Sequence, residues 1–177
     1  MFLEKLSEYA DQIEDLPPPM YQSTPIRYVI HLNGQGIYQG IDELTDEHGK
    51  VTILSAAPHC KRSSGIKPKL LVDNGEYTLG IARATSDPRR VQAQHTAYAT
   101  LVRACAVTTR EPTVGAIDHF LGLPDITGPI LLEKRDFDPS SNIMFRVDGT
   151  NPCELKEVQA YWAKEAAAGD TAVSYTH

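Results

Sequence analysis

One short segment, residues 61–69, is rich in side chains that could bind phosphate. Four cations and no acid occur there, together with two serines and a glycine: Lys61, Arg62, Ser63, Ser64, Gly65, Lys67 and Lys69. Cations and hydroxyls bind phosphate oxygens, and a glycine lets backbone N–H groups approach them closely. The segment therefore predicts a phosphate-binding loop, and the alternative is an ordinary basic loop exposed to solvent.

Three amide side chains lie at predicted turns and could contact the edges of bases. Asn33 and Gln35 belong to the turn 33–36, and Asn74 precedes Gly75. An amide both donates and accepts hydrogen bonds, as base edges require. The Gly-x-Gly in the first turn is not a dinucleotide-binding motif, because a strand rather than a helix follows it. An ordinary hairpin turn is the alternative reading of this segment.

Metal binding and covalent catalysis have no recognisable motif in this sequence. The cysteines, Cys60, Cys105 and Cys153, are far apart without Cys-x-x-Cys spacing, so we expect buried free thiols. The histidines form no His-Glu-x-x-His or His-x-His pattern, and there is no Gly-x-Ser-x-Gly. We therefore expect no metal, no cofactor and no enzymatic activity. A metal-dependent nuclease is the rival interpretation with the least support.

Hydrophobic periodicity predicts the elements that would position these residues. Alternating or β-branched runs predict strands at 26–32, 37–41, 51–54, 77–81 and 143–147. Helical spacing predicts helices at 2–14, 113–121 and 153–168. It also predicts a helix that begins near Pro88 and carries an apolar stripe from Val91 to Cys105. Ser86 or Asp87 and Thr113 are the expected caps, and 122–142 is expected to be irregular. The sequence thus predicts an α+β fold, with a mainly antiparallel sheet flanked by three or four helices.

The net charge of −6 is unevenly distributed along the chain. Acids dominate residues 1–19 and 42–50, whereas 61–69 is basic. A basic patch on an acidic body is compatible with phosphate binding on one face and protein contacts elsewhere. No apolar run approaches the ~20 residues of a membrane span, and the N-terminus lacks the features of a signal peptide. We therefore expect a cytoplasmic protein.

The run 61–80 resembles a signature of the large subunit of type I-C CRISPR surveillance (Cascade) complexes. In that family, an arginine and a serine or threonine precede Ser-Gly-Ile-x-Pro, and Asp-Asn and Tyr-x-Leu-Gly follow. The matching residues are Arg62, Ser63, Ser64, Gly65, Ile66, Pro68, Asp73, Asn74, Tyr77, Leu79 and Gly80. Two positions differ, since Lys69 stands where the family often has asparagine, and Val72 where an aromatic residue is common. Weaker similarities extend the resemblance over about residues 1–165.

The resemblance implies the N-terminal region of a non-catalytic subunit in an RNA-guided antiviral complex. Its partners would be guide RNA, target duplex DNA, the other subunits, and a recruited helicase–nuclease that cuts the target. Guide pairing reads the long target, while protein helps recognise the short protospacer-adjacent motif beside it. The alternative is a pure assembly module that caps one end of the guide RNA without reading DNA. Residues 1–165 would form the nucleic-acid-binding domain, and 166–177 a truncated linker or tail.

Overall fold

The computed structural model describes residues 16–51 and 54–175, which form six strands and five α-helices. The strands are β1 Tyr21–Pro25, β2 Tyr28–Leu32, β3 Tyr38–Glu43, β4 Leu54–Pro58, β5 Asp73–Asn74 and β6 Asn142–Val147. The helices are α1 Gly75–Leu79, α2 Pro88–Thr109, α3 Pro112–Leu121, α4 Thr127–Glu133 and α5 Lys156–Tyr175, and a 3₁₀ turn spans Pro152–Glu154. The predicted helix 2–14 lies outside the described residues.

The strands form a four-stranded central sheet and a separate two-stranded ribbon. The central sheet has the order β3–β2–β6–β5, and the ribbon pairs β1 with β4. All pairs are antiparallel except β2 with β6, which run parallel. The predicted α+β fold with a mainly antiparallel sheet is therefore confirmed. The predicted hairpin between β2 and β3 also forms, and Gly36 adopts a φ of 78° in its turn.

The two faces of the central sheet differ in how completely they are covered. On one face, Tyr28 and Ile30 of β2 lie beside Phe145 of β6, and all three are buried. Phe145 packs edge-on against Phe120 of α3, with the ring centroids 6.0 Å apart. The alternation of side chains along a strand places the intervening residues of β2 and β6 on the opposite face. That second face is buried at one end and open at the other.

Helix α2 follows the sequence closely. Asp87 is its N-cap, because the carboxylate accepts a hydrogen bond from the N–H of Arg89, and Pro88 occupies the first turn. Val91, Tyr98, Val102 and Cys105 of its apolar stripe are buried, and His95 is half-buried. Helix α5 continues through 166–175, so this part of the predicted tail is helical. No helix among the described residues combines the length and hydrophobicity that a membrane span requires.

Residues 77–81 do not form the predicted strand, and Asn74 caps a helix instead of lying in the predicted turn. The Asn74 side chain accepts hydrogen bonds from the N–H groups of Glu76 and Tyr77, at 3.0 and 3.1 Å, and so caps α1. Gly80, with a φ of 72°, ends that helix. The apolar run is too short for its periodicity to separate strand from helix, so the cap decides.

Two smaller expectations were also wrong. Residues 122–142 are not wholly irregular, because they include α4. Thr113 does not cap α3: Glu111 occupies the N-cap position, and the buried Thr113 hydroxyl has no hydrogen-bond partner among the described residues. Of the strand predicted at 51–54, Leu54 begins β4 and Val51 forms an isolated β-bridge with Thr45, while the two residues between them lie outside the described part of the chain.

Candidate nucleic-acid interface

The basic loop 61–69 is anchored at its base by a buried carboxylate. The side chain of Asp73 is 1% exposed and accepts two hydrogen bonds from the guanidinium of Arg62, at 2.7 and 2.9 Å. It also accepts from the backbone N–H groups of Lys69, at 3.0 Å, and Asn74, at 2.8 Å. One carboxylate thus ties both ends of the loop to strand β5.

The interior of the loop is filled by Arg62 and Tyr77. The guanidinium carbon of Arg62 lies 4.3 Å from the centre of the Tyr77 ring. Arg62 also donates to the carbonyl oxygen of Lys67 at 3.1 Å, and the N–H of Lys67 donates to the Tyr77 hydroxyl at 3.2 Å. Together with the Asp73 pair, these contacts hold the loop in one conformation.

The charge of Arg62 is compensated within the protein. Burial alone lowers the pKa of Arg62, but the hydrogen bonds and the negative charge of Asp73 outweigh burial and raise the pKa above its ordinary value. The guanidinium therefore stays charged and engaged in a bidentate pair. Its position suits support of the loop better than direct contact with a phosphate.

The tip of the loop is open to solvent. Lys61, Ser63, Ser64 and Gly65 are all exposed. No heavy atom outside the two chain neighbours lies within 4 Å of the position a Gly65 side chain would occupy, so the backbone there is accessible. The tip therefore presents a cation, two hydroxyls and free backbone to an incoming ligand.

Helix α2 adds cations that the sequence analysis did not assign to the site. Arg89 and Arg90 are exposed in its first turn, and Arg90 donates to the carbonyl oxygen of Ser64 at 3.2 Å. This contact brings the start of the helix beside the loop tip. We call the resulting surface the basic face, defined by Lys61, Lys67, Lys69, Arg89 and Arg90. The paired arginines after Pro88 were a visible signal, but nothing local indicated which loop they would meet.

Asn74 lies next to the basic face, although one end of its amide is already used. Its oxygen caps α1, and it is partly buried at the end of β5. The amide NH₂ group makes no hydrogen bond with the described residues, so it remains able to donate. Of the predicted base-contacting amides, it is the one beside the cationic loop.

Asn33 and Gln35 lie elsewhere. The Asn33 oxygen accepts hydrogen bonds from the N–H groups of Gln35, at 2.9 Å, and Ile37, at 3.0 Å, which fixes the turn. This turn follows the end of β2 that lies beside the end of β6, whereas Asn74 pairs with the start of β6. Strand rise and spacing place the two sites ~20 Å apart. The structure does not bring them into one site.

The predicted buried free thiols are confirmed for all three cysteines. Burial raises the pKa of Cys60, and burial raises the pKa of Cys105 to about 11. Low-pKa, accessible thiolates are the reactive form of cysteine, and these buried thiols lack both features. Within the described residues, no three His, Cys, Asp or Glu side chains come together as a metal site would require.

Comparison with known protein families gives a match over nearly the whole chain. A family model described as CRISPR-associated protein (Cas_Csd1) matches residues 3–176, which includes the basic loop and helix α2. No curated protein matches the chain.

Proposed function

Because the chain belongs to the Cas_Csd1 family of CRISPR-associated proteins, we propose that it binds nucleic acid through its basic face as a non-catalytic subunit of a type I-C complex. The observation that supports this most is the convergence of a rigid cationic loop with the first turn of α2, on a chain whose net charge is −6. Cations gathered on an otherwise acidic body form a surface that attracts phosphates locally.

Within the basic face, different residues have different roles. The exposed cations Lys61, Arg89 and Arg90 hold phosphates, and Lys67 and Lys69 add positive charge at the loop base. The hydroxyls of Ser63 and Ser64 and the backbone at Gly65 supply short hydrogen bonds. Arg62 acts indirectly, by keeping the loop in shape through Asp73. Phosphate contacts set position and register, while base contacts carry sequence information.

Sequence readout is proposed for Asn74, whose free amide NH₂ can donate to a base edge. Asn33 and Gln35, ~20 Å away, would contact a different part of the nucleic acid, about six base pairs along a duplex. In such a complex the guide RNA pairs with the target, and the protein helps recognise the short motif flanking it on the duplex. The other subunits and a recruited helicase–nuclease are the remaining partners.

The test is the salt dependence of DNA binding by the assembled complex. Lys61→Glu/Arg89→Glu reverses the charge of two exposed side chains, neither of which forms an ion pair with the described residues. Affinity should fall at least about tenfold at physiological salt, and the slope of log K against log salt should fall by about 2, because two phosphate contacts are lost.

The matched control is Arg103→Glu/Lys164→Glu, which makes the same change in net charge at exposed positions on α2 and α5. Arg103 lies fourteen residues beyond Arg89, ~21 Å along the helix. The control should keep most of the affinity and the salt slope. Equal losses in both double variants, or none in the first, would remove the basis for this site.

A pure assembly role, in which the acidic surface docks protein and the basic face holds only guide RNA, is the second candidate. The acidic net charge favours it. Target duplexes with and without the flanking motif distinguish the two, since equal binding of both supports assembly alone. A cleavage assay with divalent metal tests the non-catalytic assignment.

A further inference from the structure

A cleft of about 250 Å³ opens between the second face of the central sheet and strand β4. Its floor includes Val29 and Met144, which are each 3% exposed. Leu54 forms part of the wall and is 65% exposed, which is unusual for a leucine beside an apolar floor. The cleft therefore offers an apolar base and a side wall that a flat, weakly polar group could cover.

Besides His31 and Asp42, which contact each other, the rim of the cleft carries two opposite charges that do not pair. Arg146 of β6 and Glu154 of the 3₁₀ turn both line it and are exposed. Neither makes an ion pair within 4.0 Å with any of the residues that the structure describes. The two charged groups thus lie on one cleft without touching, which leaves space for a ligand that both accepts and donates hydrogen bonds.

A nearly buried amide adds another polar group. Asn151 is 6% exposed and lines the cleft. Its oxygen accepts from the N–H of Cys153 at 3.0 Å, which fixes the side chain. Its NH₂ group has no hydrogen-bond partner among the residues described. The nitrogen is accessible to solvent rather than sealed inside the protein, so it can donate to a ligand in the cleft.

The size and chemistry of the cleft fit one nucleobase. Pockets for drug-sized ligands measure about 300–1,000 Å³, so this cleft suits a smaller group. A base has flat apolar faces. The acceptors on its edge can bind the arginine and the amide donor, and its amino groups can donate to the carboxylate. A paired base cannot enter a concave site, so the base must be unpaired.

We infer that this cleft binds a single unpaired base of a nucleic-acid strand that also contacts the basic face. The inference rests on the proposed function, because it assumes that the basic face binds a nucleic-acid strand. Strand β4 connects the two sites: it begins at Leu54 on the cleft wall and ends three residues before Lys61. The strand rise places the two sites ~20 Å apart, which a few nucleotides of single strand can span.

The test uses the assembled complex and single abasic nucleotides placed one at a time along the guide RNA, or along the DNA strand displaced from the target. At one position, loss of the base should weaken binding about tenfold, because one base contact is lost. The RNA and DNA series show which strand supplies the base. Ser55→Trp, which fills the cleft from β4, should abolish that sensitivity, as should Arg146→Ala at an exposed position.

Ser23→Trp is the matched control, because Ser23 lies exposed on the same ribbon and does not line the cleft. It should keep the sensitivity to the abasic position. If no position in either series is sensitive, or if Ser55→Trp and Arg146→Ala leave the sensitivity unchanged, the inference is wrong. The proposed function fails separately: Lys61→Glu/Arg89→Glu should weaken binding at every position alike, and an unaffected variant refutes the basic face alone.

Discussion

Replacing Asp73 by alanine should destabilise the protein by about 3 kcal/mol. Breaking a buried ion pair by removing one partner costs about 3–5 kcal/mol, because the other charge is left uncompensated. The Arg62 side chain is 23% exposed and can partly reach solvent, which places the cost at the low end of that range. The backbone N–H groups of Lys69 and Asn74 also lose their acceptor.

Urea denaturation measures this loss as a lower free energy of unfolding, and heating would show it as a drop in Tm of about 6–12 °C for a chain of this size. Asp46→Ala is the matched control. Its carboxylate also accepts two backbone hydrogen bonds, from His48 and Lys50 at 2.9 Å each, but these are solvent-exposed and involve no ion pair. The control should cost no more than about 1 kcal/mol.

A second variant tests the cause of the loss. Asp73→Leu/Arg62→Met removes both charges and keeps apolar volume, so it should recover the part of the loss that comes from the uncompensated Arg62 charge, while the N–H groups of Lys69 and Asn74 still lack their acceptor. The reasoning is refuted if Asp73→Ala costs no more than Asp46→Ala. It is also refuted if the double variant is as unstable as Asp73→Ala.

Two further predictions concern the core and the turns. Gly36→Ala and Gly49→Ala both place alanine at a φ near +78°, which costs about 1–2 kcal/mol, but only at Gly36 would the new side chain meet the carbonyl of Ala116. Urea denaturation should therefore show that Gly36→Ala lowers the free energy of unfolding by about 2 kcal/mol more than Gly49→Ala. Equal losses would contradict this packing. Burial raises the pKa of Cys105 to about 11, so the folded state keeps a proton that the unfolded state releases from pH 9 upwards. The free energy of unfolding should therefore fall by up to about 3 kcal/mol between pH 9 and 11. Cys105→Ala should flatten that decline.

Local signals in the sequence were sufficient where one residue type decides a conformation. The Gly-containing turn at 33–36 and the Asp-Pro start of α2 act over a few residues, so both elements were predicted correctly. The strand predicted at 77–81 failed because Asn74 can begin a turn or cap a helix equally well. Only the surrounding packing selects between these two uses.

The sequence indicated where along the chain the candidate site lies, but not which of its side chains pair with one another. The loop 61–69 forms as expected, and its composition indicated where charge gathers. Composition could not indicate that Arg62 would form an ion pair with Asp73, eleven residues later, because side-chain pairing depends on how the chain folds back. For the same reason, Arg89 and Arg90 were not assigned to the site.

The buried pair between Arg62 and Asp73 is best explained by the shape it imposes. A buried ion pair contributes little net stability compared with apolar residues of similar size, so stability alone is a weak reason to place one here. Its contacts fix both ends of a loop whose tip is solvent-exposed. A loop held in its binding conformation loses less entropy when it binds. Asp73→Leu/Arg62→Met should therefore fold more stably than Asp73→Ala, yet the assembled complex that carries it should bind DNA several-fold more weakly. Unchanged DNA affinity in that variant would show that the pair does not preorganise the loop.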